Sequence, residues 1–304
     1  MTDYTLARPW AEGSIAIPRG PIVTDEAGNT THYDLCFAVF AGYRPLFLDL
    51  TVPAHEPGEK LPLVVWVHGG GWLKGSHKRV AHELHRYQHL QAAVDAGFAV
   101  ASIDYRKVME VNTETQCLDL RGAVRWLRHY AAEFDLDPDR FAYWGESAGA
   151  HLAVLTTLRT DLDDAPKVGD FPDESEAVQA IVNWYGPADF TDYADYFDGV
   201  VAADGDTSPS PFPWMIKDSA STLDDISPAL IVQPGRTVPP VLNIHGADDE
   251  LVPPTHSEHL HAALTEAGYD SELIIVPGAD HVFMGYDDVP TLIETSLDFL
   301  RRLL

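Results

Sequence analysis

Short apolar runs alternate with amphipathic stretches from residue 35 to the end of the chain. Apolar runs of strand length lie at residues 35–40, 46–52, 63–67, 98–103, 141–144, 180–185, 241–244 and 273–276. Between them, apolar residues recur at the spacing of one helix face, for instance across residues 120–127. This alternation predicts an α/β fold in which a mostly parallel central sheet carries helices on both faces. The nearly continuous apolar runs at 63–67 and 241–244 are typical of inner parallel strands.

Other local patterns predict where individual elements begin and end. Apolar residues at helical spacing predict a helix face across residues 84–94. A further helix at 260–267 is predicted to end at Gly268, because glycine is favoured just past a helix C-terminus. The last helix is predicted to begin near Pro290, since proline is accepted in the first turn. A short link at residues 42–44 predicts an antiparallel hairpin at the sheet edge.

The region from residue 191 to 240 interrupts the alternation with many aspartates, serines and prolines. It is far longer than the usual connection of about 4 to 6 residues, and it contains aromatic residues that a structureless linker would lack. We interpret it as a small cap over an apolar pocket. Residues 1–304 show no internal repeat, so we expect one domain with this cap inserted at 191–240.

Charge and cysteine content restrict the partners and the location. The formal net charge of −27 disfavours nucleic acid and anionic membranes, because both would repel the chain. A solvated acidic surface is the favoured interpretation of this charge, and selection for neutral or cationic substrates is the alternative. Apolar runs fall short of the ~18 to 20 residues of a membrane span, and the N-terminal residues lack a secretory pattern, so a cytoplasmic location is expected. Cys36 and Cys117 lie in predicted core segments and are expected to be buried thiols rather than a disulfide.

Residues 145–149 read Gly-Glu-Ser-Ala-Gly, with a strand-like stretch before them and a helix-like stretch after. A sharp turn from strand to helix needs flanking glycines, because its backbone is strained and neighbouring chain comes close. Such a turn lifts the serine hydroxyl clear of the sheet and places it at a helix N-terminus, where developing negative charge is stabilised. Ser147 is therefore predicted to be a nucleophile.

Residues 68–72 read His-Gly-Gly-Gly-Trp and directly follow a predicted strand. Successive glycines allow backbone amides to approach a tetrahedral oxyanion. We expect the amides of Gly70 and Gly71, together with that of Ala148, to form an oxyanion hole. A phosphate-binding loop is the alternative, but the patterns Gly-Lys-Ser/Thr and Gly-x-Gly-x-x-Gly are both missing at this place. His68 is expected to hold the loop by hydrogen bonding rather than to take part in catalysis.

A nucleophilic serine needs a base, because an unassisted hydroxyl is a poor nucleophile. After a serine in a strand-to-helix turn, the acid and then the histidine of the triad are expected to follow along the chain. Of the 14 histidines, only those from His245 onward are therefore candidates for the base. His281 is the candidate, because it lies in a glycine-containing loop after the final predicted strand. The acid is expected in the loop after the preceding strand, where Asp248, Asp249 and Glu250 compete, and spacing alone does not select among them.

Several motifs together resemble the hormone-sensitive-lipase-like esterases, and most closely their bacterial branch of bifunctional feruloyl and acetyl-xylan esterases. They are His-Gly-Gly-Gly-Trp at 68–72, Gly-Glu-Ser-Ala-Gly at 145–149, and His-Gly-Ala-Asp-Asp at 245–249 with Val-Pro at 252–253. The similarity covers most of the chain from about Leu46 onward. It implies an α/β-hydrolase fold and makes Asp249 the catalytic acid. Asp280, the stretch at 106–110 and the cap depart from the family pattern.

The resemblance implies a serine carboxylesterase that forms an acyl-enzyme. Short-acyl or small aromatic esters are the expected substrates, and Trp72, Trp184 and Trp214 are expected to line their pocket. No metal or organic cofactor is expected, because the Cys and His residues lack zinc-site spacing. A small-molecule ester is the expected partner, and a homodimer is compatible with the chain. An amidase, a formamidase or an acyltransferase would use the same triad, and an inactive binding protein would usually have lost one of its members.

Overall fold

The computed structural model describes residues 5–6, 17–18, 20–40, 44–78 and 80–304. The strands are β1 (Thr5–Leu6), β2 (Ile17–Pro18), β3 (Ile22–Thr24), β4 (Thr30–Ala38), β5 (Leu46–Val52), β6 (Leu61–Val67), β7 (Ala99–Ile103), β8 (Leu136–Glu146), β9 (Ala180–Trp184), β10 (Val241–Gly246) and β11 (Ser271–Val276). The α-helices are α1 (His82–His85), α2 (His89–Asp95), α3 (Thr113–His129), α4 (Ala148–Leu158), α5 (Tyr193–Asp204), α6 (Phe212–Met215), α7 (Pro228–Ile231), α8 (Thr255–Glu266) and α9 (Val289–Leu303). Short 3-10 helices lie at Thr160–Leu162, Asp224–Ile226 and His281–Phe283.

The central sheet is mostly parallel. Within the described residues, nine strands form one sheet in the order β11-β10-β9-β8-β6-β7-β5-β4-β3. The strands from β11 to β7 in this order run parallel, whereas β5, β4 and β3 are added antiparallel at one side. The prediction of a mostly parallel sheet is therefore confirmed. β1 pairs with β2 outside this sheet.

Helices cover both faces of the sheet, as predicted. Along β6, Leu63 and Val65 belong to one buried cluster, with apolar residues of α3, α4 and α8. Val64 and Trp66 belong to a second cluster, with residues of α2 and α9. Successive side chains of a strand point to opposite faces of the sheet, so a strand that is apolar at every position needs helices packed on both faces.

Each predicted strand from residue 35 onward is present. β5 has the predicted bounds, and β4 ends at Ala38 and pairs antiparallel with β5, although part of the predicted hairpin link, residues 41–43, lies outside the described residues. β3 was missed because it is short and exposed, and thus lacks an apolar signal. The buried thiols of Cys36 and Cys117 agree with the expectation.

The helix predictions are confirmed at the end of the chain and wrong in one place. Gly268 follows α8 with a φ of +86°, and Pro290 lies in the first turn of α9. The face predicted across 84–94 is not one helix, because Gln88 has a φ of +50° and separates α1 from α2. The side chain of Gln88 donates to the carbonyl of His85, which favours the turn over a continuous helix.

The parallel strands bring their carboxyl ends to one edge of the sheet. β6 ends just before His68, β8 just before Ser147, β10 before Asp249, and β11 before His281. Loops that leave this edge therefore meet in space although they are far apart in the chain. The region 191–240 contains α5, α6 and α7, and its role as a cap stays a prediction. Among the described helices, none has the length and apolarity needed to cross a membrane.

Candidate active site

Ser147 lies in a strained turn between β8 and α4. Its φ of 49° and ψ of −123° are rare for a residue with a side chain. A Cβ at Gly145 would lie 2.6 Å from the amide nitrogen of Ala150, and one at Gly149 would meet the carbonyl oxygen of Val67. The two glycines of the motif thus allow the turn to close against α4 and β6. Strain of this kind is maintained only where the surroundings enforce it, which is common at functional sites.

The structure brings the predicted nucleophile, base and acid together. Nε2 of His281 lies 3.2 Å from Oγ of Ser147, and Nδ1 of His281 lies 2.7 Å from Oδ2 of Asp249. This arrangement can pass a proton from the hydroxyl to the imidazole, while the carboxylate keeps the other ring nitrogen protonated.

Asp249 is distinguished from its two neighbours by burial and by hydrogen bonds. Asp248 and Glu250 are exposed, whereas Asp249 is 4% exposed. Its Oδ1 accepts the amides of Leu251 at 3.0 Å and Val252 at 2.7 Å. The ambiguity among the three carboxylates therefore has a geometric answer, since Asp249 alone of the three reaches His281.

The charge on Asp249 is favoured despite its burial. Burial opposes ionisation, but hydrogen bonds from His245 and His281 outweigh it and hold the pKa of Asp249 well below its usual range. His245 itself is fixed by Ser257 on one ring nitrogen and by the carbonyl of Val252 on the other. A permanent carboxylate is what stabilisation of an imidazolium requires.

Asp280 joins the loop of the base to the loop of the acid. Its Oδ1 accepts the amide of His281 at 2.6 Å and the amide of Glu250 at 3.2 Å. It also caps the 3-10 helix that carries His281. Asp280 thus supplies a link between the two loops.

The predicted oxyanion-hole residues are close to Ser147. Gly70 and Gly71 line the same cavity as Ser147, with φ values of +116° and +59°, and Ala148 is the first residue of α4. A Cβ at Gly70 would lie 2.5 Å from the carbonyl oxygen of Lys74, so this turn requires glycine. Their role as oxyanion donors stays a prediction.

His68 lies under this glycine loop and is hydrogen-bonded, as expected. Its Nδ1 is 2.7 Å from the carbonyl oxygen of Gly69, and its ring stacks on Tyr105 with centroids 4.4 Å apart. The hydroxyl of Tyr105 donates to the carbonyl of His68. Burial, followed by the nearby Lys107, lowers the pKa of His68 to about 3, so the ring is neutral at physiological pH.

Glu146 is a site residue to which the sequence assigned no role. It is 2% exposed, and its Oε1 accepts the amide of Gly69 at 3.3 Å while its Oε2 accepts the hydroxyl of Tyr185 at 3.1 Å. Burial raises the pKa of Glu146. Its position inside the Gly-Glu-Ser-Ala-Gly motif was the available signal, and it connects the nucleophile turn to the glycine loop.

A cavity of about 640 Å³ opens above Ser147 and His281. Apolar side chains of α5, Tyr193, Phe197 and Val201, form part of its wall. Hydroxyls of α5 also hold the acid loop, because Tyr193 donates to the carbonyl of Leu251 and Tyr196 to that of Glu250. The predicted cap region thus contributes to the wall of the cavity.

The tryptophan predictions are wrong for Trp184 and Trp214. Trp184 is fully buried, and its indole donates to Oγ of Ser296 in α9, on the far side of the sheet from α4. Trp214 lies on α6 outside the cavity wall, with Lys217 over its ring. Both tryptophans instead stabilise packing between elements.

Trp72 borders the cavity but is 1% exposed. Its indole donates to Nδ1 of His151, whose other ring nitrogen lies 2.8 Å from the carbonyl oxygen of Ile226. Its ring also packs against Phe190 and Phe212. Trp72 therefore anchors the end of the glycine loop, and any contact with substrate is limited to its small exposed surface.

One cluster elsewhere has the spacing of a metal site. Ligand atoms of Asp34, Asp49 and His77 lie within 4.8 Å of one another. Nζ of Lys78 is 2.9 Å from Oδ1 of Asp34 and 2.7 Å from Oδ1 of Asp49, so an ammonium group already balances these carboxylates. Nδ1 of His77 also lies 3.1 Å from Asp104. An internal ion-pair network explains the cluster.

Comparison with known proteins relates the chain to esterases. The BD-FAE family model matches residues 48–264. Among curated proteins, the chain is 29% identical over 250 residues to the esterase LipQ of Mycobacterium tuberculosis, covering 80% of this chain and 55% of that protein. It is 26% identical to a probable isoprenylcysteine α-carbonyl methylesterase of Arabidopsis thaliana, covering 79% of this chain and 49% of that protein. The chain thus spans about half the length of these relatives.

Solved structures share the fold. A truncated carbohydrate esterase from gut microbiota superposes with a TM-score of 0.74 at 23% identity, covering 92% of this chain and 98% of that one. Esterase 2 of Thermogutta terrifontis with bound propionate superposes with a TM-score of 0.69 at 24% identity, covering 88% of this chain and 93% of that one. The same enzyme has been solved after phosphonylation by cyclosarin.

Proposed function

The chain belongs to the BD-FAE family of α/β-hydrolase esterases, and we propose that it is a serine carboxylesterase acting through Ser147, His281 and Asp249. The observation that carries the proposal is the continuous contact from Ser147 Oγ through His281 to Asp249, at 3.2 and 2.7 Å, at the floor of a cavity.

The reaction has two halves. Ser147 Oγ attacks the ester carbonyl and gives its proton to Nε2 of His281, while the amides of Gly70, Gly71 and Ala148 hold the oxyanion. The tetrahedral intermediate collapses, the proton passes from His281 to the leaving alcohol, and an acyl-enzyme remains. Water then gives a proton to His281 and attacks the acyl carbon. Collapse of the second intermediate returns that proton to Ser147 and releases the acid.

The cavity supports small esters as substrates. Its volume of about 640 Å³ lies inside the usual range for small-molecule sites, and much of its wall is apolar. We propose short-acyl or small aromatic esters. An amidase or an acyltransferase would need the same triad, so the nature of the cleaved bond rests on the family rather than on the site geometry.

Turnover of p-nitrophenyl acetate, butyrate and octanoate tests the proposal and ranks acyl length. Ser147→Ala removes the nucleophile, and Ser210→Ala is the matched control, because Ser210 also lines the cavity. Loss of activity in Ser147→Ala alone supports the proposal. Equal rates in wild type and Ser147→Ala contradict it. Faster cleavage of an anilide than of the matched ester would favour the amidase.

A further inference from the structure

The orientation of one peptide unit decides where the first proposed oxyanion donor points. The carbonyl of Gly69 and the amide of Gly70 belong to the same planar trans peptide, so they point in opposite directions. The Gly69 carbonyl faces Nδ1 of the buried His68 at 2.7 Å. The Gly69 carbonyl points inward to His68, so the Gly70 amide points outward, toward the cavity that Gly70 lines.

This anchor works in only one tautomer of His68. The ring is neutral, so one nitrogen carries a proton and the other carries a lone pair. With the proton on Nδ1, the ring donates to the Gly69 carbonyl. With the proton on Nε2, the Nδ1 lone pair would face the carbonyl oxygen at 2.7 Å and repel it. The peptide could then rotate, because glycines stand on both sides of it.

The group at the other ring nitrogen is Lys107. Its Nζ lies 3.0 Å from Nε2 of His68 and 3.8 Å from the centroid of the Tyr105 ring. As an ammonium group Lys107 can only donate, so Nε2 accepts and the ring proton lies on Nδ1.

We propose that Lys107 is a positioning residue for the oxyanion hole: it holds His68 in the Nδ1–H tautomer and thereby directs the Gly70 amide into the cavity. The inference rests on the proposed esterase function for its kinetic consequence only. Burial lowers the pKa of Lys107 to about 7, and the ammonium form, which has no lone pair, is the form that enforces this tautomer.

The neighbours of the peptide fit the same role. The amide of Gly69 donates to Glu146, and the carbonyl of His68 accepts the hydroxyl of Tyr105. The preceding peptide is thus held at both ends by side chains, whereas the Gly69 carbonyl depends on His68. These contacts fix the preceding peptide, so Lys107 orients the Gly69 carbonyl through His68.

The experiment combines kinetics with nitrogen NMR of the histidine rings. Lys107→Met removes the donor but keeps an unbranched side chain, and Lys107→Arg keeps a side chain that only donates. Lys60→Met is the matched control, since Lys60 pairs with Asp135 instead. We expect Lys107→Met to lower kcat about 10- to 100-fold with KM changed less than about twofold, because an oxyanion donor acts in the transition state. Lys107→Arg should recover most of the loss.

The NMR measurement reads the tautomer without any substrate. Protein labelled with ¹⁵N-histidine should show His68, assigned with a His68→Gln variant, protonated at Nδ1 in the wild type and at Nε2 in a substantial fraction of Lys107→Met. An Nε2–H tautomer in the wild type overturns the proposal, and so does a Lys107→Met variant with unchanged kcat and tautomer.

Misfolding of a variant and failure of the proposed esterase function can both be distinguished from failure of the Lys107 proposal. If Lys107→Met does not fold, the wild-type tautomer and the kcat of Lys107→Arg still decide the matter, because a wild-type Nε2–H ring overturns the proposal by itself. Failure of the proposed function would show instead as a wild type without esterase activity, or as a Ser147→Ala variant that retains it, whatever the tautomer of His68.

Discussion

Replacing Asp249 with asparagine reverses one hydrogen bond while it preserves the shape of the acid loop. Oδ1 would still accept the amides of Leu251 and Val252, so the loop should stay in place. The new amide NH₂ would replace Oδ2, which now lies 2.7 Å from Nδ1 of His281. Two donors cannot share that contact, so the neutral ring should move its proton to Nε2.

A ring protonated at Nε2 cannot accept the proton of Ser147 across the 3.2 Å contact. The corresponding change in a serine protease triad lowers kcat about 10⁴-fold, which we take as the expected loss here. This is about 5 kcal/mol of transition-state stabilisation. The assay is kcat/KM for p-nitrophenyl butyrate, with thermal unfolding measured in parallel so that misfolded protein is not mistaken for inactive enzyme.

The neighbouring carboxylates provide matched controls. Asp248 and Glu250 are exposed and occupy the same loop, so Asp248→Asn and Glu250→Gln should keep kcat/KM within about twofold. A folded Asp249→Asn variant with wild-type kcat/KM, or an equal loss in either control, would refute the assignment of the acid.

Three further predictions concern the cavity, the thiols and the buried tryptophan. Phe197→Ala should raise the ratio of kcat/KM for octanoate over acetate by about tenfold, because it widens the apolar wall; an unchanged ratio would remove α5 from the substrate pocket. Burial raises the pKa of Cys117 to about 11, and Cys36 is buried as well, so a thiol reagent at pH 8 should label both only after unfolding; rapid labelling of native protein would contradict this. Trp184→Ala should lower the free energy of unfolding by about 3–5 kcal/mol, and Trp214→Ala should leave kcat/KM unchanged. A Trp184→Ala variant of wild-type stability, or a Trp214→Ala variant with lower kcat/KM, would contradict these predictions.

The sheet could be predicted from the sequence because buried parallel strands are apolar at nearly every position. β6 and β10 carry this signal on both faces, and the helices between strands follow from their spacing. β3 has no such signal, because its side chains are exposed at the edge of the sheet. The break between α1 and α2 occurs at the left-handed backbone of Gln88, which the spacing of apolar residues does not record.

The candidate site was predictable where the chemistry constrains the backbone. Ser147 and the glycine loop were found because their turns need glycines at fixed places. The acid was not determined by spacing, since three adjacent carboxylates differ only in which one turns inward. The errors at Trp184 and Trp214 have the same origin, because a residue near the site in sequence can point to the opposite face of the sheet or away from the cavity.

Covalent labelling of Ser147 tests whether this serine is the activated nucleophile that would carry the acyl group. Paraoxon transfers a diethylphosphoryl group to an activated serine, and the product can be located by intact-mass measurement and peptide mapping. We expect one adduct per chain on Ser147, with parallel loss of esterase activity and no adduct in Ser147→Ala. Inactivation with the adduct on another residue, or full activity after complete labelling of Ser147, would contradict it.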